Sequence, residues 1–331
     1  MSDLSEHMAV QIEAHNLHKA FGSTRAVNGV SLEVHEGEAY GLVGPDGAGK
    51  TTTMRLLVGA LTGEEGSVRI GGHDLHTHTE QARASVGYLA QRFSLYTDLT
   101  VAENIQFFGE VRGVVGAAFT SRAAELLQFV GLAGFERRRA GLLSGGMKQK
   151  LGLACALIHR PKVLLLDEPS GGVDPVTRQD FWQLIIRLLT DEGLAVVVST
   201  PYMDEAVRCN RLGFMYGGRV LVEGTPRQLA SRLSGRVLEL VARPGMTARR
   251  VCLEDADVED AVVFGERLHL RLGERYGEGE GNQPHPGLAA LVSRLSESLE
   301  GEGVQVARLR PIAPGLEDVF ISLLQQQGEA R

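Results

Sequence analysis

The chain has 331 residues, of which 43% are apolar and 23% charged, room for one large domain and a smaller one with a sizeable core. Its net charge of -7 and pI near 5.8 speak against a nucleic-acid binder, whose phosphate contacts need a basic surface. The Arg137-Arg138-Arg139 triplet reads as a solvated face.

In chain order, residues 10–13 and 30–34 alternate as strands do, with Gly22 and Gly37 as turns. Residues 38–43 form a strand that leads into a glycine-rich segment, and 52–61 read as a helix. Strands follow at 66–72 and 86–90. The region 100–160 is mostly helical, broken by Gly113, Gly116, Gly131 and Gly134. Residues 163–166 are wholly apolar, as in a parallel strand covered on both faces. A helix at 181–189 and a second apolar strand at 194–198 come next. Residues 212–215 and 219–222 flank Tyr216-Gly217-Gly218 as a hairpin. A boundary falls near 225–240. Beyond it lie strands at 237–241, 261–264 and 268–272, a mobile Gly/Glu/Pro-rich loop at 273–287, a helix at 288–299, a strand at 304–309 and a helix at 316–326. This second part reads as a small mixed α/β unit, and no segment repeats.

Cys155, Cys209 and Cys252 lack metal-ligand spacing and read as buried thiols of a reducing compartment, the first two within helices. Residues 1–10 carry Asp3 and Glu6 and no apolar core, unlike a signal peptide. No apolar run approaches the length that spans a bilayer.

Gly44-Pro45-Asp46-Gly47-Ala48-Gly49-Lys50-Thr51 fits G-x-x-x-x-G-K-[ST], after an apolar strand and before a helix. Glycines let backbone N–H groups wrap phosphates, and the helix N-terminus that follows, with Thr52 in its first turn, favours an anion. Lys50 supplies a charge to the β- and γ-phosphates, and Thr51 a hydroxyl to Mg²⁺. Val163-Leu164-Leu165-Leu166-Asp167-Glu168 places two acids at the C-terminal end of a buried strand, where ligands bind in parallel sheets. Asp167 is the candidate magnesium ligand. Glu168 is placed to polarise an attacking water. ATP and Mg²⁺ are thus the expected substrate and cofactor.

Leu143-Ser144-Gly145-Gly146-Met147-Lys148-Gln149 resembles the LSGGQ signature of ABC ATPases, with Met147 where Gln is commonest. Ser144, Gly145 and Gly146 open a helix and can face a γ-phosphate. In that family the phosphate lies on a partner subunit, so the resemblance implies a dimer. Phe21 resembles the aromatic that stacks on adenine, and Gln91 the Q-loop residue that senses the metal and faces the transmembrane partner. Ser170-Gly171-Gly172-Val173-Asp174 occupies the D-loop place and keeps Asp174, with Gly171 and Val173 as departures. The resemblance covers about residues 8–230. It implies a RecA-like parallel sheet with helices on both sides, an antiparallel β-subdomain carrying Phe21, a helical subdomain at about 92–160, and a C-terminal extension at 235–331. Ser199-Thr200-Pro201-Tyr202-Met203-Asp204-Glu205-Ala206, Gly224-Thr225-Pro226 and Gly315-Leu316-Glu317-Asp318-Val319-Phe320 look like the bacterial exporters with ABC-2-type permeases. That resemblance implies a peripheral subunit on the cytoplasmic face of the inner membrane, coupled to a separate permease.

One departure stands out. The family's switch histidine should follow Ser199-Thr200, and here the residue is Pro201. Proline offers no polar side chain and no backbone N–H. Loss of one positioned group costs on the order of 10²-fold in rate. Either the chain pairs with a different ATP-binding subunit and turns over slowly at its own site, or a homodimer hydrolyses ATP with Glu168 alone. Gly171 and Val173 fit the asymmetric pairing. A regulatory ATP-binding module and a soluble ABC protein outside transport are the rival readings.

Overall fold

The computed structural model describes residues 8–91, 95–277 and 285–329. The chain divides into two compact units, up to Thr225 and from Pro226 onward. The first contains β1 (Val10–Phe21), β2 (Thr24–His35), β3 (Ala39–Val43), α1 (Lys50–Leu57), β4 (Glu65–Ile70), β5 (His73–Asp74), α2 (Thr79–Ala84), β6 (Val86–Leu89), α3 (Val101–Val111), α4 (Gly116–Phe129), α5 (Gly145–Leu157), β7 (Val163–Asp167), α6 (Pro175–Glu192), β8 (Ala195–Thr200), α7 (Met203–Ala206), β9 (Arg211–Tyr216) and β10 (Arg219–Gly224). The second contains α8 (Pro226–Ala230), β11 (Val237–Arg243), α9 (Gly245–Leu253), β12 (Val258–Phe264), β13 (Arg267–Leu272), α10 (Leu288–Gly301), β14 (Gln305–Pro311) and α11 (Leu316–Glu329).

The apolar runs become the middle of a six-stranded sheet of order β10-β9-β3-β8-β7-β6. β6, β7, β8, β3 and β9 are parallel, and β10 closes the edge as an antiparallel hairpin. Side chains alternate across a strand, so each central strand feeds two cores. Leu164, Leu166, Val196 and Val198 pack with Leu151, Phe181 and Trp182 of the helices α5 and α6. Val163, Leu165, Ala195 and Val197 pack on the other face with Met54 and Leu57 of α1 and with Ile12, Val27 and Val30 of the antiparallel sheet β2-β1-β4-β5. Leu165 is fully buried, and its truncation to Ala would cost about 2–5 kcal/mol. The ends of these strands are therefore held rigidly, and the site is built on them.

Helix ends are fixed by local chemistry. Asp174 caps α6 by accepting from Val176 N and Thr177 N, Pro175 takes the first turn, and Gly193 ends the helix at φ 65°. Thr100 and Glu103 form a capping box at α3. The helix expected at 52–61 is α1, which starts at Lys50 and stops at Leu57. Cys209 is not in a helix: α7 ends at Ala206, and the buried Cys209 thiol follows it at a bend.

The second unit runs β-α-β-β-α-β from β11 to β14, with antiparallel order β12-β13-β11-β14. This is the ferredoxin-like arrangement. Leu238, Leu240, Leu268 and Leu270 face Val251 of α9 and Leu291, Leu295 and Leu299 of α10. On the opposite sheet face His269 pairs with Asp318 of α11 at 2.8 Å. The buried Glu239 is ringed there by Arg267, Arg308 and Arg310 at 2.9, 3.4 and 3.1 Å. In the segment read as a mobile loop, residues 274–276 form an ordered 3-10 turn whose buried Tyr276 donates to Asp257 at 2.8 Å. Residues 278–284, and residues 92–94 of the helical region, lie outside the described residues. Among the described residues no helix is long and apolar enough to cross a membrane.

Candidate functional site

The buried β3 delivers the chain to Gly44, whose N–H donates to Thr200 O at 3.3 Å. The glycines here have structural duties as well as chemical ones. A Cβ at Gly44 would lie 2.1 Å from Met215 O, and one at Gly49, where φ is +106°, 2.1 Å from Ala26 O. Gly47, at φ +78°, has open space around it and supplies the turn. Pro45 O accepts from Ala48 N at 3.2 Å, Asp46 is exposed and Ala48 buried, and Thr52 is half-buried in the first turn of α1.

Lys50 is 3% exposed, and its Nζ must find partners there. It donates to Gly44 O at 2.8 Å and Pro45 O at 3.1 Å, and pairs with Glu168 Oε1 at 3.1 Å. Gln91 Nε2 donates to the other Glu168 oxygen at 2.8 Å. Glu168 sits in the left-handed region at φ 48°, a costly conformation for a residue with a Cβ. Its N–H is held by Ser199 O at 3.0 Å and Ser199 Oγ at 3.1 Å.

Asp167 is fully buried and accepts from Thr51 Oγ1 at 3.0 Å, Ser199 Oγ at 2.6 Å and Tyr88 OH at 3.3 Å. Burial, and then the Asp167 carboxylate, push the Tyr88 phenol up to about 12, so it remains a donor. Thr51 and Asp167 together form a hard-oxygen pair suited to Mg²⁺. That ion takes one or two protein oxygens and fills its shell with water and phosphate. Tyr88 and Ser199 were not foreseen from sequence. Tyr88 lies outside the motifs, Ser199 carries no site role in its stretch, and only the pairing of β6 and β8 with β7 brings them to Asp167.

A second group assembles elsewhere in the first unit. Ser144 caps α5 by accepting from Met147 N at 3.3 Å. As a hydroxyl, it keeps its own proton to donate to an incoming oxygen. Ser144 and Gly145 are exposed and Gly146 is buried. A Cβ at Gly146 would meet Thr177 Cγ2 at 2.1 Å, whereas Gly145 has open space. Gly146 thus lets α5 lie against the start of α6. The Asp174 carboxylate there accepts from Thr177 Oγ1 at 2.6 Å, and the Thr177 hydroxyl and N–H hold it below the usual range. Phe21 ends β1 half exposed, with Lys19 Nζ 5.7 Å from its ring centre. Pro201 follows β8, half-buried. His159 is committed elsewhere, with Nε2 3.0 Å from Val86 O.

A phosphate-sized turn between a buried strand and a helix, closed by a lysine and facing two acids at the end of β7, one strand beyond β8, defines a RecA-like P-loop nucleotide cassette. A family model described as "ABC transporter" matches residues 27–171. The chain is 38% identical over 92% of its length to the probable multidrug ABC transporter ATP-binding protein YbhF of Escherichia coli, of which it spans 50%. It is 39% identical over 97% of its length to the daunorubicin/doxorubicin resistance ATP-binding protein DrrA of Streptomyces peucetius, spanning 94% of that protein. The dimeric structure of MJ0796, a bacterial ABC transporter cassette, matches with a TM-score of 0.60 and 28% identity over 65% of this chain and 98% of that one. The chain belongs to the ATP-binding proteins of ABC transporters, a family of ATPases.

Proposed function

We propose that the chain is the ATP-binding subunit of an exporter. In this reading residues 8–230 are the nucleotide-binding cassette and 235–331 a C-terminal extension. The cassette works at the cytoplasmic face of the membrane with a separate ABC-2-type permease, and it pairs with a second ATP-binding subunit. The observation that carries the ATP chemistry is the convergence of Lys50, Thr51, Asp167, Glu168 and Gln91 from α1, β7 and the turn after β6. Export rests on the relatives, one named for drug resistance and one as a probable multidrug transporter protein. The dimeric cassette supports the pairing.

The chemistry follows from the residues. Lys50 is engaged by Glu168, and a γ-phosphate, with more charge, displaces that carboxylate from the ammonium. Glu168 is then free to orient and polarise the attacking water, with Gln91 steadying its other oxygen. Thr51 and Asp167 would hold Mg²⁺, which neutralises charge on the phosphates. Phe21 is the candidate adenine contact. The exposed Ser144 and Gly145 face outward and would complete the site of the second subunit. Beside them, Leu142 and Val176 are 66% and 70% exposed, apolar surface suited to a partner.

Pro201 supplies no polar contact to a γ-phosphate, and this favours a dissimilar partner with slow turnover at Lys50. Steady-state ATPase assays of the wild type, Glu168→Gln and Pro201→His test this, with and without magnesium. The expected result is slow wild-type turnover that Pro201→His raises about tenfold. Substantial magnesium-dependent turnover that Glu168→Gln abolishes and Pro201→His leaves unchanged would make the homodimer a competent motor and remove the need for a second kind of subunit.

A further inference from the structure

Glu205 lies in α7 and has none of its surface exposed. One of its oxygens accepts from the Ser170 hydroxyl and the other from the Thr200 hydroxyl, the latter at 2.6 Å. Arg178 of α6 lies with Nε 3.6 Å from the oxygen that Ser170 reaches. The same guanidinium donates to Asp204 at 3.2 Å and stacks 4.6 Å from the centre of the Tyr202 ring. Burying a carboxylate in a core is costly unless it is paired and hydrogen-bonded. Here it is placed where three segments meet.

Each arm reaches a functional segment. Ser170 opens the loop 170–174, which ends in Asp174, the cap of the helix whose Thr177 lies against Gly146. Thr200 Oγ1 also accepts from Tyr202 N at 3.1 Å, so it fixes the turn around Pro201. The Thr200 carbonyl accepts from Gly44 N, the first residue of the phosphate turn. A continuous path of directional bonds therefore runs from Gly44 through Thr200, Glu205 and Ser170 to the loop 171–174. Displacing either hydroxyl alone leaves a buried carboxylate oxygen without its hydroxyl donor, which is costly. The Glu205 carboxylate thus ties the two segments to each other.

We infer that Glu205 is the positioning residue that makes the loop 171–174 respond to nucleotide at the 44–51 turn. It takes over the alignment of the segment in which Pro201 replaces a contacting side chain. The inference rests on the proposed ATP site. Its test is amide hydrogen exchange on the full chain, diluted to monomer, with and without ATP and with no magnesium. In the wild type, ATP slows exchange at residues 50–53 and also at 171–174. In Thr200→Val, which keeps shape and removes both hydroxyl bonds, protection at 50–53 persists and protection at 171–174 is lost. Ser170→Ala, which cuts only the other arm, gives the same pattern and decides the matter if Thr200→Val does not fold. In turnover, each variant lowers kcat about tenfold with KM within about twofold, and the double variant is no slower than the worse single one, as for groups acting as a unit. Protection at 171–174 that survives in both variants overturns the inference, as does a wild-type loop that ignores ATP while 50–53 responds. Absence of protection at 50–53 in the wild type overturns the ATP reading itself and the inference with it.

Discussion

The two functional groups of the first unit are built in opposite ways. Around the phosphate turn the buried charged groups already have partners within the chain: Lys50 has Glu168 and two carbonyls, and Asp167 has three hydroxyls. At the start of α5, Ser144 and Gly145 are exposed, with the apolar Leu142 and Val176 nearby. The first group is a closed arrangement that a ligand must open. The second is an open edge, incomplete by itself. The difference teaches that a strong motif does not imply a closed site: the proposed pairing uses the exposed group, and the proposed hydrolysis the buried one.

The largest effects should come from opening the closed group. Glu168→Gln keeps shape and the bond to Gln91 but removes the charge that Lys50 neutralises. Turnover should fall about 10²-fold or more, while ATP binds at least as tightly because Lys50 no longer has a competing carboxylate. Single-turnover hydrolysis and an equilibrium titration measure the two quantities separately. Turnover within about twofold of wild type would remove Glu168 from the role of base. Lys50→Ala should do the reverse and weaken ATP binding itself, since it removes the buried cation held on the Gly44 and Pro45 carbonyls of the turn.

The open edge is sharpened by two adjacent glycines. Gly145→Ala meets nothing within 4 Å, so the fold should melt as wild type does, while ATP-driven pairing and turnover fall about tenfold or more. Gly146→Ala drives a methyl into Thr177 Cγ2, and overpacking of this kind costs about 1–3 kcal/mol. Thr177→Ser removes that methyl and keeps the bond to Asp174. The Gly146→Ala/Thr177→Ser double variant should thus recover melting temperature. If it also recovers turnover, Gly146 serves packing only. If Gly145→Ala is fully active, the edge does not approach a phosphate.

Much of this was legible in the sequence because it is local. The 44–51 turn and the 163–168 strand carry their geometry in consecutive residues, and structure adds only their meeting across β3, β8 and β7. What the sequence hid depends on pairing between distant segments. Tyr88 and Ser199 reach Asp167 only because β6 and β8 flank β7. Glu205 has no role of its own in the stretch 199–206 until α7 brings it to Ser170 and Thr200. In the second unit, α9 is hidden in the sequence because its segment opens with Pro244 and Gly245, residues that read as a turn. The strand alternation there was visible, yet the order β12-β13-β11-β14 lies in register and not in composition.

The smallest prediction concerns pH and again divides the two groups. His159 follows α5, its Nδ1 is buried with no partner, and burial with the nearby Arg112 lowers its pKa to about 4 from 6.5. Above pH 6.5 both folded and unfolded forms hold it neutral, and its contribution to stability is unaffected. Between pH 6.5 and about 4 the unfolded chain takes up the proton first, so stability falls with acidification across that window. The loss should be felt first where His159 anchors the end of α5 to Val86, hence in the helix that carries Ser144 and not in α1 behind Lys50. Exchange of α5 amides should quicken between pH 7 and 5, relative to intrinsic rates, while α1 amides change less. His159→Gln, which can still donate to Val86 O and cannot titrate, should flatten the pH dependence of melting and equalise the two helices. If α1 loosens as much as α5 in the wild type, acid acts on the whole first unit, and the edge that carries Ser144 has no separate sensitivity to pH.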